Sequence, residues 1–340
     1  MKTRNPISRR AFAGRLSSLA ALAAATALVP AAQAAEPAGG YFAGRNIRVI
    51  VPNPAGGTSD ILARVLAPKL GELLGANILV ENKAGATGNL GSDYVAKAPP
   101  DGLTLLLNDI GSLAIAPSVF PNLPFDPVKD FAPVSLVAYS PHILAASPSL
   151  PVKDVKELIA LAKAKPNSLN FAISGTGGAN HLAGIDFAMR TGIVWTYVPY
   201  KGGSQAINDV VAGQADVLFN GMVATYPMVK GGKLKALAIS SAQRFPGAPE
   251  IPTVAEAANL KGFETGSFQG IVAPAGTPPA VVATLHGALL KILATPEMQK
   301  RLQDLGAEYR PGSSAEFGEF IKGEKTRWAR VVKDSGAKFD

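Results

Sequence analysis

Four glycine-rich segments carry the most readable chemistry in this chain: Pro54-Ala-Gly-Gly-Thr-Ser-Asp60, Lys83-Ala-Gly-Ala-Thr-Gly-Asn-Leu-Gly91, Ser174-Gly-Thr-Gly-Gly-Ala-Asn-His181 and Tyr200-Lys-Gly-Gly-Ser-Gln205. Each follows an apolar run and opens a stretch with helical periodicity. Glycine there leaves the first N–H groups of the helix uncovered. Those orphan donors and the helix dipole both favour negative charge, so the chemistry indicated is the holding of a small anion by backbone dipoles. The first segment is the clearest. Ile47-Arg-Val-Ile-Val51 reads as a buried strand, and Ile61, Leu62, Val65, Leu66 and Leu70 follow with helical spacing. None of the four is a nucleotide motif. Gly-Lys-Ser/Thr is missing, and Gly85, Gly88 and Gly91 are spaced by three and three rather than as G-x-G-x-x-G. One such loop serves a tight turn as readily as a ligand; four at the same place in successive units favour a ligand.

Catalytic readings fare less well. The histidines are His142, His181 and His286, with no metal-ligand spacing between them, no accompanying carboxylate cluster, and no cysteine anywhere. Neither a metal nor a cofactor is expected. Ser174 with His181 suggests a nucleophile and its base, but the G-x-S-x-G elbow is missing. Local hydrogen bonding at a helix start is the better reading of His181. Lys201 is a candidate charge partner for an anion, against the plainer reading of a solvated loop lysine. Asp60, in the first turn of its helix, is expected to order the loop rather than to meet an anion.

The elements that must position these loops alternate. Strands are expected at 47–51, 78–81, 104–107, 134–138, 143–146, 170–173, 195–198, 217–219 and 235–239. Helices are expected at 59–74, 88–97, 154–164, 181–190 and 204–212. This alternation argues for an α/β fold with parallel sheets and helices on both faces. Loops at the carboxyl ends of such strands gather where ligands bind. Two sets of elements separate near Ala138. The C-terminal part reads as helices, with Val281, Leu285, Leu289 and Leu293 at four-residue spacing. If these pack on the first set, the chain crosses twice between sets, and two crossings make a hinge.

Composition narrows the partners. Lys2, Arg4, Arg9, Arg10 and Arg15 precede an apolar stretch from Leu16 to Val29 and a small-x-small site at Ala32-Gln-Ala34. That order reads as an export signal over residues 1–34, cleaved after Ala34, by the twin-arginine or the general route. Those five residues account for five of the eight net positive charges, leaving +3. So small an excess, scattered along the chain, excludes nucleic acid as a partner. Roughly 300 residues remain, enough for two ordinary domains.

Taken in order, several segments resemble the tripartite tricarboxylate transporter receptors, also called the Bug family. They are Ile50-Val-Pro-Asn-Pro-Ala-Gly-Gly-Thr-Ser-Asp60, Val80 to Gly91, Pro100-Asp-Gly-Leu-Thr-Leu105, Phe131 to Val137, Val198-Pro-Tyr-Lys-Gly-Gly203, Gly231 to Ala238, Ile251 to Ala257 and Ala273-Pro-Ala-Gly-Thr-Pro278. The resemblance implies a type II periplasmic binding protein fold, with two parallel-sheet lobes joined by two crossing strands. It places lobe 1 at 35–138 plus 251–340 and lobe 2 at 139–250. It implies a periplasmic receptor that captures a small organic carboxylate for delivery to a membrane permease, without catalysis; a monomer is expected. The ligand-binding positions it carries over are Ala55, Gly56, Gly57 and Ser59 in lobe 1, and Ser174, Thr176, Gly177, Tyr200 and Lys201 in lobe 2. Asn220 stands where the family often has Asp. With no acid there, di-, keto- or aromatic acids are expected in preference to amino acids. The alternatives are a ligand sensor for a membrane signalling kinase and a secreted hydrolase using Ser174 and His181.

Overall fold

The structure, a computed structural model, describes residues 40–335. The export segment and its cleavage site lie outside the described residues, and every element below belongs to the unit that begins at Phe42.

The first half is built on β1 (Asn46–Val51), flanked in parallel by β2 (Asn77–Asn82) and β3 (Thr104–Asp109). Between β1 and β2 runs α1 (Thr58–Leu74), which buries Leu62, Leu66, Leu70 and Leu74 on one face, as their four-residue spacing requires. Gly75 ends it in the left-handed conformation and donates its N–H to the Gly71 carbonyl. A 3-10 turn at Ala86–Gly88 leads into α2 (Asn89–Ala96). After β3 the chain turns directly into α3 (Ile110–Val119). The sequence gives no sign of α3, because Ile110, Leu113, Ala114, Ile115 and Ala116 are apolar all round and show no face.

β4 (Phe131–Ala146) is one strand of sixteen residues where two short ones are expected. Ser140, Pro141 and His142 break its apolar pattern, yet pairing continues through them, with Pro141 opposite Gly266 and His142 opposite Gly221. The second half follows in order: α4 (Val155–Ala164), β5 (Asn170–Ile173), α5 (Ala179–Thr191), β6 (Thr196–Pro199), α6 (Gly203–Val211), β7 (Val217–Gly221), α7 (Met222–Lys230), β8 (Lys235–Ile239) and α8 (Val254–Ala258). Asp154 caps α4 by accepting from the Glu157 N–H, and Thr253 with Glu256 forms a capping box on α8. β9 (Gly266–Pro274) returns to pair antiparallel with both β3 and β4. Its start, Gly266-Ser-Phe-Gln-Gly270, carries too much polarity to read as a buried strand. The chain ends with α9 (Pro279–Leu293), α10 (Pro296–Asp304) and α11 (Ser314–Ser335).

The architecture is mixed α/β with a curled sheet. Among the described residues the strands run β2-β1-β3-β9-β4-β7-β5-β6, with β8 on β4. The parallel pairs sit at the two ends of this path, and the antiparallel β4 and β9 join them. β4 gives its first part to β9 and its last five residues to β7. The C-terminal helices do return to the first half: Phe317 and Ile321 of α11 pack in the core that holds Ile50 and Leu106. The core of the second half is aromatic, with Phe171, Phe187, Trp195, Phe219 and Phe263 in contact at centroid distances of 4.4 to 6.1 Å.

Candidate functional site

The loop after β1 is held from below. Gly56 takes φ +80°, which only glycine adopts at little cost, while Gly57 is extended at φ −79° and caps α1. The left-handed position of this Gly-Gly turn is therefore Gly56. The Gly56 N–H donates to Asp60 Oδ2 at 2.9 Å, and Asp60 Oδ1 accepts from Arg64 Nε and Asn82 Nδ2, each at 3.0 Å. Burial pushes the Asp60 carboxyl up, but hydrogen bonds from Arg64, Gly56 and Asn82 outweigh it and hold it below its ordinary value. Asp60 thus orders the loop, as its position implies. The Thr58 and Ser59 N–H groups remain as helix-start donors.

The loops after β5 and β6 face it. Gly178 caps α5 and Gly202 caps α6. Loop meets loop: Thr87 Oγ1 donates to the Thr176 carbonyl at 3.4 Å, and Gly202 lies so close to Pro54 that a Cβ there would stand 2.5 Å from its Cδ. Gly221, which caps α7, lies against Thr58 in the same way, at 2.6 Å from Oγ1. All four glycine-rich loops therefore meet between the two halves.

Beside that junction lies a cavity of about 70 Å³, to which the first, third and fourth loops contribute lining residues and the second, Lys83–Gly91, contributes none. Its rim is made of helix starts: Gly57, Thr58 and Ser59 of α1, Ala179 and Asn180 of α5, Gly203 of α6 and Gly221 of α7. Its floor is made of strand side chains: Asp109 from β3, His142 from β4, and Ser267 and Gln269 from β9. Asn53, Ser174 and Asn220 complete the lining, which contains no Lys or Arg. His142 is fully buried, with Nδ1 3.1 Å from Thr265 Oγ1, and burial pushes its pKa down to about 4, so the ring is neutral near pH 7. Among the described residues no group of three His, Asp or Glu could hold a metal ion. The arrangement suits an anion, because several N-terminal dipoles, each worth about half a positive charge, converge on one cavity.

Residues 62–337 match the family described as the tripartite tricarboxylate transporter family receptor. The chain belongs to that family. Protein BugT of Bordetella pertussis is 35% identical over 298 residues, 87% of this chain and 91% of BugT. An R. palustris protein solved with adipate superposes with a TM-score of 0.83 at 34% identity, over 86% of this chain and 97% of that one. MatC from Rhodopseudomonas palustris, solved with bound malate, superposes at 0.80 with 35% identity, over 85% and 99%.

In this member of the receptor family the residues expected from sequence fall into three groups. Gly57, Ser59, Ser174 and Asn220 line the cavity. Ala55 and Gly56 shape the first loop from its exposed side, and Gly177, at φ +74°, turns the third loop and donates its N–H to His181 Nδ1 at 3.1 Å. Thr176, Tyr200 and Lys201 stand away from the lining. Thr176 lines a separate apolar groove with His181 and Tyr197. Tyr200 is partly buried against α6, and burial together with a hydrogen bond to Asp209 pushes its phenol up to about 12. Lys201 is exposed. Ser174 and His181 line different cavities, and the His181 ring packs edge-on against Tyr197 at 4.7 Å.

Asn53, Thr58, Asp109, His142, Asn180, Ser267 and Gln269 were not expected. Asn53, Thr58 and Asn180 sit inside or beside the loops singled out. Asp109 closes the run Leu105-Leu-Leu-Asn-Asp109, so the rule that ligands gather at strand carboxyl ends could have found it. Ser267 and Gln269 needed β9, which the sequence does not declare.

Proposed function

We propose that this protein is a periplasmic receptor that closes two lobes on a small organic carboxylate and presents it to a tripartite tricarboxylate-type permease, with no chemistry of its own. The observation that carries the reading is the cavity rimmed by four helix starts. A carboxylate there gains charge-assisted hydrogen bonds from N–H groups that the fold leaves unsatisfied. The lobes are residues 35–138 with 251–340, and residues 139–250. They move about β4 and the chain entering β9. The site comprises Gly57, Ser59, Ser174 and Asn220 in the lining, with Ala55, Gly56, Thr176, Gly177, Tyr200 and Lys201 forming the loops that close over it. Adipate and malate in two family structures support the ligand class.

The test is thermal melting of the protein with a panel of short organic acids, joined to mass spectrometry of any acid that co-purifies. An acid at a hundred times its Kd adds about 2.7 kcal/mol of stability and is recovered unchanged. Conversion of the acid, or a flat response across the panel, would overturn the reading.

A further inference from the structure

The floor of the cavity differs in chemistry from its rim. Asp109 stands directly opposite Gln269 in the antiparallel β3·β9 pair. Ser267 lies two residues from Gln269, so both side chains leave β9 on the same face. All three line the cavity. Their hydrogen bonds run one way. Ser267 Oγ donates to Asp109 Oδ2, since an ionised carboxylate only accepts. The hydroxyl has one hydrogen, so towards Gln269 it must accept, and the Gln269 atom beside it is Nε2. That fixes the amide. Gln269 Oε1 is left without a protein partner although the residue is 1% exposed. A buried acceptor in that state is destabilising until a donor reaches it. The same reasoning fixes Asn220. Thr225 Oγ1 donates to the Gly221 carbonyl at 3.0 Å, so it accepts from Asn220 Nδ2 at 3.1 Å, leaving Oδ1 beside Gly203 as an acceptor.

We propose that the acceptors Asp109 and Gln269 Oε1, facing the helix-start rim, form a subsite for a protonated amino nitrogen, so that the ligand is a zwitterionic acid. This rests on the carboxylate-receptor reading and names the other end of the ligand. The carboxylate occupies the rim. The ammonium meets the Asp109 carboxylate and the Gln269 carbonyl oxygen. Asn220 offers an ammonium group no opposite charge, but a carboxylate, that of Asp109, stands on the β3 side of the same cavity. A dicarboxylate lacking the amino group would set its second charge against Asp109 and leave Gln269 Oε1 unmet.

The experiment is calorimetric titration of matched acids that differ only in the substituent beside one carboxylate, H, OH or NH3+. Succinate, L-malate and L-aspartate form one series; propionate, L-lactate and L-alanine form another; glutarate, 2-hydroxyglutarate and L-glutamate form a third. Within any series that binds, the ammonium form should bind about ten- to a hundredfold more tightly than the H form, the scale of a charge-assisted hydrogen bond. In Asp109→Asn that advantage should shrink at least tenfold while the dicarboxylates gain. Gln269→Leu should reduce it by a smaller factor, and it serves if Asp109→Asn does not fold. Equal or tighter binding of the H form to the unsubstituted protein overturns the subsite and leaves the carboxylate receptor standing. An unchanged ranking in both variants does the same. Silence of all nine acids overturns the subsite, and the carboxylate-receptor reading is then decided by the melting panel of short organic acids.

Discussion

The rim and the floor of the cavity are made by different means. The rim is peptide: N–H groups of Thr58, Ser59, Ala179, Asn180 and Gly203 at the starts of helices, delivered by loops whose glycines keep side chains out of the way. The floor is side chain: Asp109, His142, Ser267 and Gln269, fixed on strands β3, β4 and β9. A rim of peptide dipoles answers to charge and is nearly indifferent to what the charge is attached to. A floor of fixed oxygens and one neutral imidazole answers to the donors that a ligand offers. Under the proposed function, capture falls to the rim and discrimination to the floor, and substitution can reach one without the other.

The largest effect should come from breaking the rim. In Gly203→Val the new Cβ would stand 2.7 Å from Asn220 Oδ1, and the branched side chain would cover a helix start. Every acid that binds should lose at least about a hundredfold in affinity, about 2.7 kcal/mol. Calorimetry beside a thermal melt checks this, and loss for some acids only would show that the rim discriminates. Next comes Asn220→Asp, which places a second carboxylate in a desolvated cavity. Dicarboxylates should weaken about tenfold. An unchanged affinity across an acid panel would place Asn220 outside the ligand's reach.

The two sides can also be compared through their histidines, without any ligand. His142 lies in the floor and His181 behind the rim, and burial pushes each down to about 4 from an ordinary 6.5. Below pH 6.5 the unfolded chain takes up protons that the folded chain refuses. Stability is therefore full above pH 6.5 and falls as pH drops towards 4, by roughly 1 kcal/mol per pH unit for each ring. The Asp60 carboxyl, held below its ordinary value, contributes no slope in that window. Urea denaturation at pH 7, 6 and 5 measures the slope, and His142→Gln and His181→Gln should each remove about half of it. Equal slopes in all three proteins would mean that neither ring is neutral in the fold. The smallest effect belongs to Lys201→Ala. Its side chain is exposed and away from the lining, so affinity should change less than about twofold and show no added salt dependence.

The loops that carry the rim were legible in the sequence, although Thr58, Ala179, Asn180 and Gly203 within or beside them were not singled out, and the floor was not legible, for one reason. Rim residues are local: a strand, a Gly-Gly turn and a helix start are written within a dozen consecutive positions, and Gly57 or Ser174 can be placed from their neighbours alone. The floor depends on register. Asp109 meets Ser267 across 158 positions of chain, and only the β3·β9 pairing sets them side by side. β9 itself was hidden because the residues it gives to the cavity, Ser267 and Gln269, spoil its apolar pattern. Ser140 and His142 did the same to β4, splitting one long strand into two short ones. Helices α3 and α7 were lost for the opposite reason: they follow their strands with no loop between, and Ile110, Leu113, Ala114, Ile115, Ala116 and Val119 in the first and Met222–Tyr226 in the second are buried, so neither shows a polar face. Gly56 and Gly57 could be told apart only by their backbone angles.

The place of β9 between β3 and β4 sets the order in which this chain can be finished. When synthesis has reached Ala146, β3 and β4 both exist, but the strand that belongs between them, Gly266–Pro274, is still more than a hundred residues away. Until it arrives each presents an open, largely apolar edge, and the first half cannot close by itself. Pairings so distant in sequence form slowly. The protein therefore completes its fold late and as a whole, and a chain cut short before Gly266 is left with two sticky edges rather than with one finished lobe.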